Sequence, residues 1–275
     1  MDTTVIRFAA SGNPLNFQKS ELGKQRFGVL EWSKKLGLNA QERQMTYGAR
    51  MKEEDAKIFG ELAKKFEIEL SVHGPYYVVL TSEKTKVGEN SIKELLKTSR
   101  LAELMDAKRV VFHPGFGKDT SLIIKRLNII EKDKPKNVSL CPETMGKLSQ
   151  LGTVEDVIKI CENTECFPCI DFAHVYAKSL GKINSTQDYK KILEQIEKRL
   201  GKQILKNLHC HFYPVDFTQK GEKVHRVVTE KNVFPRFLDL APLIKEFKMT
   251  PYLVSESKNT QDLGALEMKQ IMEKI

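Results

Sequence analysis

The stretch Cys169-Ile170-Asp171-Phe172-Ala173-His174 decides the fold and locates the chemistry of this chain. Residues 167–172 are mostly apolar, with β-branched and aromatic side chains, and they are bounded by polar residues, which predicts a short buried strand. Asp171 and His174 leave the end of this strand three residues apart. Because a buried carboxylate needs a polar partner or a metal ion, the stretch predicts a polar site at a strand end.

The other histidines follow the same pattern. The chain has six histidines, and none lies within a predicted helix. His225 lies in a long polar loop, 216–231, and the others end an apolar run or follow one. A single histidine at a strand end is usually structural, but a whole set predicts a shared site. The further histidines and carboxylates at predicted strand ends are His73, His113, Glu143, His209, His211 and Glu256.

Eight apolar strands alternate with amphipathic helices along the chain. This order predicts an α/β protein, a single (β/α)8 TIM barrel that spans residues 1–275. The predicted strands are 5–10, 40–45 (the weakest pattern), 68–72, 109–112, 138–140, 167–172, 204–208 and 252–254. The predicted helices are 22–36, 51–66, 91–105, 121–130, one capped by Thr153 with Asp156, 186–200 capped by Thr186, 234–247 and 262–274. A doubly wound open sheet is the competing fold, but it gathers ligands at one switch point rather than at six strand ends.

The side chains at the strand ends predict a metal centre, because TIM barrels place their active sites at the C-terminal ends of the strands. Neutral imidazoles mixed with carboxylates favour zinc, manganese or iron over magnesium or calcium. The candidate ligands exceed the needs of one tetrahedral ion, so we expect two or three ions with at least one shared carboxylate. Such sites generate hydroxide at neutral pH and stabilise both oxygens of an in-line phosphoryl displacement.

The composition is that of a globular protein with a basic surface. Of the 275 residues, 40% are hydrophobic and 8% aromatic, and no apolar run approaches the roughly 20 residues that a membrane helix needs. Residues 1–4 have no signal-peptide features, so we expect a cytoplasmic protein. The net charge of +9 favours a polyanionic partner such as nucleic acid, with a solvated lysine-rich surface as the alternative.

Three of the five cysteines cluster at Cys161, Cys166 and Cys169. The spacing of Cys166 and Cys169 is that of redox or zinc sites. However, these cysteines precede or begin the strand that Asp171 finishes, which places them towards the opposite end of the barrel. We therefore expect buried structural thiols.

The ordered set of strand-end motifs resembles the endonuclease IV family, the zinc-dependent apurinic/apyrimidinic endonucleases of the xylose-isomerase-like barrels. No single motif is specific, but the set is, and it covers residues 68–256 in order. The phrase Gly146-Lys147-Leu148-Ser149-Gln150 looks most like the archaeal branch. The matching stretches are Ser71-Val72-His73-Gly74-Pro75-Tyr76, His113-Pro114-Gly115, Pro142-Glu143-Thr144, Asp171-Phe172-Ala173-His174, Leu208-His209 and Glu256.

The resemblance implies a trinuclear zinc site with Glu143, Asp171 and Glu256 as its catalytic carboxylates. His73 and His113 would hold one ion, which Glu143 would share with a second. Asp171, His209 and Glu256 would complete that second site, and His174 and His225 would hold the third. The implied reaction is hydrolysis of the phosphodiester 5′ to an abasic site in duplex DNA, which leaves a 3′-hydroxyl and a 5′-deoxyribose phosphate.

One position departs from the family. The third-ion motif of the family is Asp-x-His, whereas this chain reads Lys223-Val224-His225. A lysine cannot replace the carboxylate as a ligand. Glu222, Asp216 or His211 could substitute, or the third site could be weak. His211 is the first choice, because it follows His209 with the period-two spacing of one strand face.

The family resemblance also implies loop residues that enter the DNA duplex at the abasic site. Tyr76 and Tyr77 lie in the matching loop after His73, with packing at the barrel mouth as the alternative. Arg43 or Arg50 would fill the gap left by the extruded sugar. Lys118, Lys147 and Lys178 lie beyond other strand ends and would meet phosphates or remain solvated. The implied partner is duplex DNA that contains abasic sites. We expect the protein to bind it as a monomer and to be cytoplasmic and associated with the nucleoid.

A metal-dependent sugar isomerase or epimerase is the alternative function. Such enzymes share this barrel and use one or two divalent ions with Glu, Asp and His ligands. They would leave the third histidine pair, the basic charge and the paired tyrosines without a role. A non-catalytic nucleic-acid binder with a structural metal is a further alternative, but structural zinc sites are usually closed four-ligand cages of cysteine and histidine.

Overall fold

Eight parallel strands form the barrel in the computed structural model, which describes residues 5–275. The expectation drawn from residues 1–4, that they carry no signal peptide, concerns residues outside those that the structure describes. The predicted TIM-barrel fold class is confirmed. The interpretation of the chain as a single domain stays a prediction. The strands are β1 (Arg7–Ser11), β2 (Ala40–Gln44), β3 (Glu69–His73), β4 (Arg109–Phe112), β5 (Ser139–Pro142), β6 (Cys169–Asp171), β7 (His209–His211), β8 (Val215–Thr218), β9 (Gly221–His225) and β10 (Tyr252–Ser255).

The barrel strands pair in the order β5-β4-β3-β2-β1-β10-β7-β6. Between β6 and β5 the barrel is nearly closed by a parallel bridge of Glu143 with Cys169 and by a 3.1 Å hydrogen bond from the Thr144 amide to the Cys169 carbonyl. β8 and β9 form a separate antiparallel hairpin.

Helices separate the strands and pack around the barrel, with one large apolar cluster between the two layers. The helices are α1 (Leu15–Lys19), α2 (Val29–Lys35), α3 (Glu53–Lys65), α4 (Thr85–Leu104), α5 (Ser121–Asp133), α6 (Val154–Glu162), α7 (Phe172–Lys178), α8 (Thr186–Leu200), α9 (Lys202–Lys206), α10 (Ala241–Glu246) and α11 (Gln261–Lys274), with 3-10 turns at Glu21–Lys24 and Phe237–Asp239. No helix among residues 5–275 has the length and apolar character to cross a membrane.

Interior side chains alternate along each strand and therefore stack in layers, as in other barrels of this kind. At the N-terminal end of the strands, the Arg7 guanidinium pairs with Glu69 at 3.0 Å. A small apolar layer of Ala9, Ala40, Tyr252 and Val254 lies in the interior. The histidines and carboxylates occupy the C-terminal end, so the predicted location of the site is correct.

The predicted strand 204–208 is wrong, because residues 202–206 form α9 and the strand begins at His209. Leu205 is buried as predicted, but it belongs to a helix rather than to a strand. As a result, His209 and His211 lie within β7 instead of after it. His209 faces the barrel interior one layer deeper than His211.

Four other predictions need correction. Much of the predicted loop 216–231 is the β8–β9 hairpin. The predicted helix 234–247 is reduced to a 3-10 turn and α10, since Pro235 and Pro242 restrict the backbone there. The predicted helix 22–36 is interrupted between its 3-10 turn and α2.

His174, expected outside any helix, lies in the first turn of α7, because Asp171 caps that helix through the His174 amide at 2.8 Å.

Capping residues set the starts of α6 and α8. The predicted capping box of Thr153 and Asp156 is present at α6. At α8 the cap is Ser185 rather than Thr186. The Ser185 hydroxyl accepts from the Asp188 amide at 3.2 Å and donates to the Asp188 carboxylate at 2.6 Å. Thr186 is the first residue inside the helix.

We expect Ser185→Ala to lower the free energy of unfolding by about 1 kcal/mol, the usual cost of losing an N-cap. Thr186→Ala is the matched control and should cost close to nothing, because alanine is the better helix former. Urea denaturation of both variants checks this prediction. A larger loss for Thr186→Ala than for Ser185→Ala would contradict the observed cap.

Candidate metal centre

Six histidines and five carboxylates converge at the C-terminal end of the barrel, where they form several groups whose ligand atoms lie within 4.8 Å of one another. All nine metal ligands expected from the sequence reach this end. Two carboxylates join them: Glu42, which sequence reasoning missed, and Glu222, which it named as one possible substitute. The set is His73, His113, His174, His209, His211, His225, Glu42, Glu143, Asp171, Glu222 and Glu256.

The first group is His73, His113 and Glu143. The Nε2 atoms of the two histidines lie 3.3 and 3.1 Å from Glu143 Oε2. His73 Nδ1 lies 2.9 Å from the Gly74 carbonyl oxygen, which orients the ring. Burial opposes a charged imidazole, but the hydrogen bond and charge of Glu143 outweigh it and raise the pKa of His73 to about 9.

The second group lies around His211. Its Nδ1 atom is 2.9 Å from Glu143 Oε1, 3.8 Å from Asp171 Oδ2 and 4.0 Å from Glu256 Oε1. Glu143 therefore faces the first group with one oxygen and the second with the other, the geometry of a shared carboxylate. Burial, opposed by the charge of His174, raises the pKa of Asp171 to about 7.

The third group is His174, Glu222 and His225. The two carboxylate oxygens of Glu222 lie 3.3 Å from His174 Nε2 and 3.3 Å from His225 Nε2. His225 Nδ1 is 2.9 Å from the Glu256 carbonyl oxygen. Burial is outweighed by the charge of Asp171 and the hydrogen bond of Glu222, so the pKa of His174 rises to about 10.

A β-bulge explains the unusual spacing of this third group. Asp216 pairs with Val224 and Phe217 pairs with Glu222, which leaves Lys223 as the extra residue of β9. In a regular strand, residues three apart point to opposite faces, but one bulged residue restores a common face. Glu222 and His225 therefore face the site together, while the Lys223 side chain is exposed. The carboxylate missing at position 223 is supplied one residue earlier.

The expectation that His211 would substitute in the third group is wrong. His211 lies in the second group, and Glu222 lies between His174 and His225. Asp216, the other named possibility, pairs with Arg226 at 2.6 Å.

Gly146 gives the hairpin room to reach the site. A Cβ atom at Gly146 would lie 2.6 Å from Glu222 Cβ and 2.8 Å from His174 Cδ2. The Glu222 amide donates to the Gly146 carbonyl at 3.0 Å. The glycine in the stretch after Glu143 thus permits the third group to form.

His209 does not occupy the place that the resemblance gave it. Its Nε2 atom lies 3.2 Å from Glu42 Oε2, and Arg109 Nη1 lies 3.4 Å from its Nδ1 atom. Its ring stacks on Tyr252 with centroids 4.9 Å apart. Burial lowers the pKa of His209 to about 4. It is His211, two residues later, that faces Asp171 and Glu256.

All five cysteines are buried free thiols, as was expected for Cys161, Cys166 and Cys169. Burial raises the pKa of Cys141 and of Cys210 to about 12. Cys169 is nearer the site than predicted, because its sulfur groups with ring nitrogens of His209 and His211.

The residues fit bound metal ions. Glu143 Oε1 and both ring nitrogens of His211 are buried, and none of these atoms makes a hydrogen bond of regular geometry among the described residues. The nearest carboxylate oxygens lie 2.9 Å from His211 Nδ1 (Glu143) and 3.3 Å from His211 Nε2 (Glu42). Buried carboxylates and imidazoles left in this state are costly unless a cation completes them. The mixture of nitrogen and oxygen donors is one that zinc, manganese and iron accept.

The two tyrosines expected to contact DNA have different surroundings. Tyr76 is 49% exposed and stacks on His113, with ring centroids 5.0 Å apart. It therefore forms part of the wall of the site. The Tyr77 hydroxyl donates to Glu94 on α4 at 2.9 Å, which anchors the loop.

The basic residues expected to contact DNA also differ. Arg50 and Lys147 are exposed beyond β2 and β5. Arg43 lies within β2, and its guanidinium packs over Phe59 of α3, away from the barrel mouth. The Lys178 ammonium donates to the carbonyls of Lys147 and Gln150 at 2.8 and 2.7 Å, so it orders that loop.

The site and the barrel define a class of protein, an α/β barrel whose strand ends carry histidines and carboxylates that could hold metal ions. The sequence comparisons agree on the barrel. The xylose isomerase-like TIM barrel family matches residues 30–273. An uncharacterized protein of Methanocaldococcus jannaschii is 31% identical over 274 residues, 96% of each chain. A probable endonuclease 4 of Oceanobacillus iheyensis is 27% identical over 231 residues, 74% of each chain. The chain belongs to the xylose isomerase-like TIM barrel family.

Solved structures agree on the fold. Endonuclease IV from Thermus thermophilus superposes with a TM-score of 0.73 at 16% identity, over 98% of this chain and 100% of that chain. A D-tagatose 3-epimerase-like protein superposes with a TM-score of 0.69 at 18% identity, over 98% and 96%. At these identities the likeness shows the fold alone. The resemblance to the endonuclease IV family is supported by the fold and the curated relatives together.

The bulge at Lys223 yields a prediction about metal content. Deletion of Lys223 should regularise β9, turn Glu222 away from His225 and reduce the zinc content by one ion per chain. Lys223→Ala is the matched control and should keep the full content, because its side chain is exposed. Elemental analysis of zinc-loaded protein measures the difference, with circular dichroism as the folding control. Wild-type zinc content in the deletion variant would show that the bulge does not place the ligand.

Proposed function

We propose that this protein is an apurinic/apyrimidinic endonuclease that hydrolyses the phosphodiester 5′ to abasic sites in duplex DNA. The observation that carries the proposal is the presence of three adjoining ligand groups, the first two of which share Glu143. Sequence relatives named probable endonuclease 4 support the same activity.

Three zinc ions would be held by the three groups, with manganese as a possible substitute. His73, His113 and Glu143 would hold the first. The second would take Glu143, Asp171, His211 and Glu256, so His211 replaces His209 in the assignment made from the resemblance. The third would take His174, Glu222 and His225, with Glu222 in place of the aspartate of the family.

The ions, when bound, would activate water for attack on phosphorus and stabilise the leaving 3′ oxygen. The protein orients the ligands for this chemistry. Tyr213 is buried, and its hydroxyl donates to Asp171 Oδ2 at 2.9 Å, which fixes that carboxylate. Ser11 and Gln44 donate to Glu256 Oε1 at 3.1 and 3.0 Å and so fix the Glu256 carboxylate.

The mouth of the barrel suits a nucleic-acid substrate. Aromatic and apolar side chains are exposed on the loops after β2, β3, β4 and β5, where bases can stack; they are Tyr47, Tyr76, Tyr77, Phe116 and Leu148. Arg50 and Lys147 lie on two of the same loops, and the chain carries a net charge of +9. We infer that the partner is duplex DNA, bound by a monomer in the cytoplasm.

A sugar isomerase or epimerase is the second candidate, favoured by the structural likeness to an epimerase-like barrel. Such an enzyme uses one or two ions. It leaves the third group, His174 with Glu222 and His225, without a role. In the endonuclease, an ion held by this group would stabilise the leaving 3′ oxygen, so the endonuclease accounts for more of the site.

Incision of duplex DNA at a tetrahydrofuran abasic analogue is the decisive assay, since this analogue cannot undergo β-elimination. We expect zinc-dependent cleavage on the 5′ side. Glu143→Gln should reduce the rate about a thousandfold or more, because an amide bridges two cations poorly and the site loses several kcal/mol of transition-state stabilisation. Intact analogue together with turnover of a free ketose would favour the epimerase instead.

Tyr76→Ala should weaken binding to an abasic duplex roughly tenfold, because loss of one stacking aromatic costs about 1–3 kcal/mol. The zinc content should stay unchanged. Ile129→Ala, which truncates an exposed apolar side chain on α5, is the control and should bind normally. Fluorescence anisotropy with labelled duplex measures both. Equal affinity of the Tyr76 variant and wild type would remove Tyr76 from the DNA interface.

A further inference from the structure

Glu42 is a buried carboxylate that the proposed ligand set does not use. It lies in the middle of β2 with no exposed surface. Its Oε2 atom accepts from the Ser71 hydroxyl at 2.9 Å and lies 3.2 Å from His209 Nε2. Its Oε1 atom lies 3.3 Å from His211 Nε2 and 3.4 Å from the Gln44 amide. Glu42 therefore lies between the two histidines of β7.

Arg109 determines the protonation of His209. A guanidinium has only donors, so the His209 Nδ1 atom, 3.4 Å from Arg109 Nη1, must be the unprotonated nitrogen. The proton of the neutral ring is then on Nε2, which donates to Glu42 Oε2 at 3.2 Å. Both nitrogens of His209 are engaged within the protein, and neither is directed at the Asp171 and Glu256 carboxylates.

His211 faces carboxylates with both nitrogens. Its Nε2 atom faces Glu42 Oε1 at 3.3 Å, and its Nδ1 atom faces Glu143 Oε1 at 2.9 Å. Oε2 of Glu42 already accepts from Ser71 and His209, so Oε1 is the oxygen available to His211. A histidine ligand to a metal commonly donates its other ring N–H to such a carboxylate.

We propose that Glu42 is a positioning residue that accepts the Nε2–H of His211 and so presents the Nδ1 lone pair to the ion shared by Glu143, Asp171 and Glu256. This inference rests on the metal centre of the proposed function and deepens it. Ser71 and His209 hold the Glu42 carboxylate in place, and Arg109 holds His209. The chain Arg109–His209–Glu42–His211 thus connects the barrel interior to the metal centre.

The position of Glu42 explains why a carboxylate is required. An amide at this site could offer either its oxygen or its NH2 group to His211, and the second choice would direct the wrong ring nitrogen to the ion. A carboxylate has acceptors only. It also increases the basicity of the imidazole as a ligand.

The test is zinc affinity of the whole protein, measured by competition with a chromophoric chelator. We expect Glu42→Gln to weaken one of the bound ions by roughly 10- to 100-fold, the usual effect of losing an outer-shell carboxylate, and to leave the others unchanged. Glu42→Asp should also weaken that ion, because its shorter side chain withdraws the carboxylate while keeping the charge. The Glu42→Asp variant replaces Glu42→Gln in this test if the glutamine variant does not fold.

Glu131→Gln is the matched control. Glu131 is also a buried carboxylate, but it pairs with Lys134 at 2.9 Å, outside the metal centre. Its loss should lower stability without changing the affinity of any ion. A purely structural role of Glu42 would give the same result as this control.

Nitrogen-15 spectra of histidine-labelled, zinc-loaded protein provide a second readout. We expect His211 to carry its proton on Nε2 and its metal bond on Nδ1, and Glu42→Gln to shift both signals. A metal bond at Nε2, or wild-type zinc affinity in both Glu42 variants, would overturn the inference. Neither measurement involves DNA, so failure of the incision assay with these results intact would remove the proposed function and leave the role of Glu42 standing.

Discussion

Repulsion among buried carboxylates is the constraint on which the site depends. Glu42, Glu143 and Asp171 have no exposed surface, and Glu256 lies beside them. Such charges are stable in a protein interior only with compensating cations and hydrogen bonds. Two of the histidines respond accordingly, since the pKa values of His73 and His174 rise despite burial. The barrel places this arrangement at one end because parallel strands bring their C-terminal ends together.

The sequence predicted the barrel and most of the site because the signal is repeated. Polar groups at six strand ends are explained most simply by one shared site in a barrel. A wrong boundary for one predicted strand leaves the evidence from the other strands unchanged. The sequence was a weaker guide to which residue of a strand faces the site, because that depends on the strand register. His209 and His211 differ only in depth, and depth depends on where β7 begins. Glu42 lies inside the strand with the weakest pattern, so no strand-end rule could find it, although its alternation with Ala40 and Gln44 is the period of an interior face.

A local irregularity, the β-bulge at Lys223, explains why the third group differs from the sequence prediction. The third group needs Glu222 and His225 on one face, which a regular strand forbids and a bulge allows. The bulge therefore lets two residues that are three apart in the sequence face the same site. Neighbouring residues also take opposite roles for simple geometric reasons: Glu42 points into the barrel while Arg43 packs against α3, and Tyr76 covers the histidines while Tyr77 binds α4.

Asp171 belongs to two structures at once. One of its carboxylate oxygens caps α7 through the His174 amide, and the other accepts from Tyr213 and faces His211. A single side chain thus caps a helix and belongs to the candidate ligand set. An alanine at this position would remove the cap from the turn that carries His174, at a cost of about 1 kcal/mol, and would not report on ligation alone. Asparagine caps helices about as well as aspartate, so it separates the loss of charge from the loss of local order.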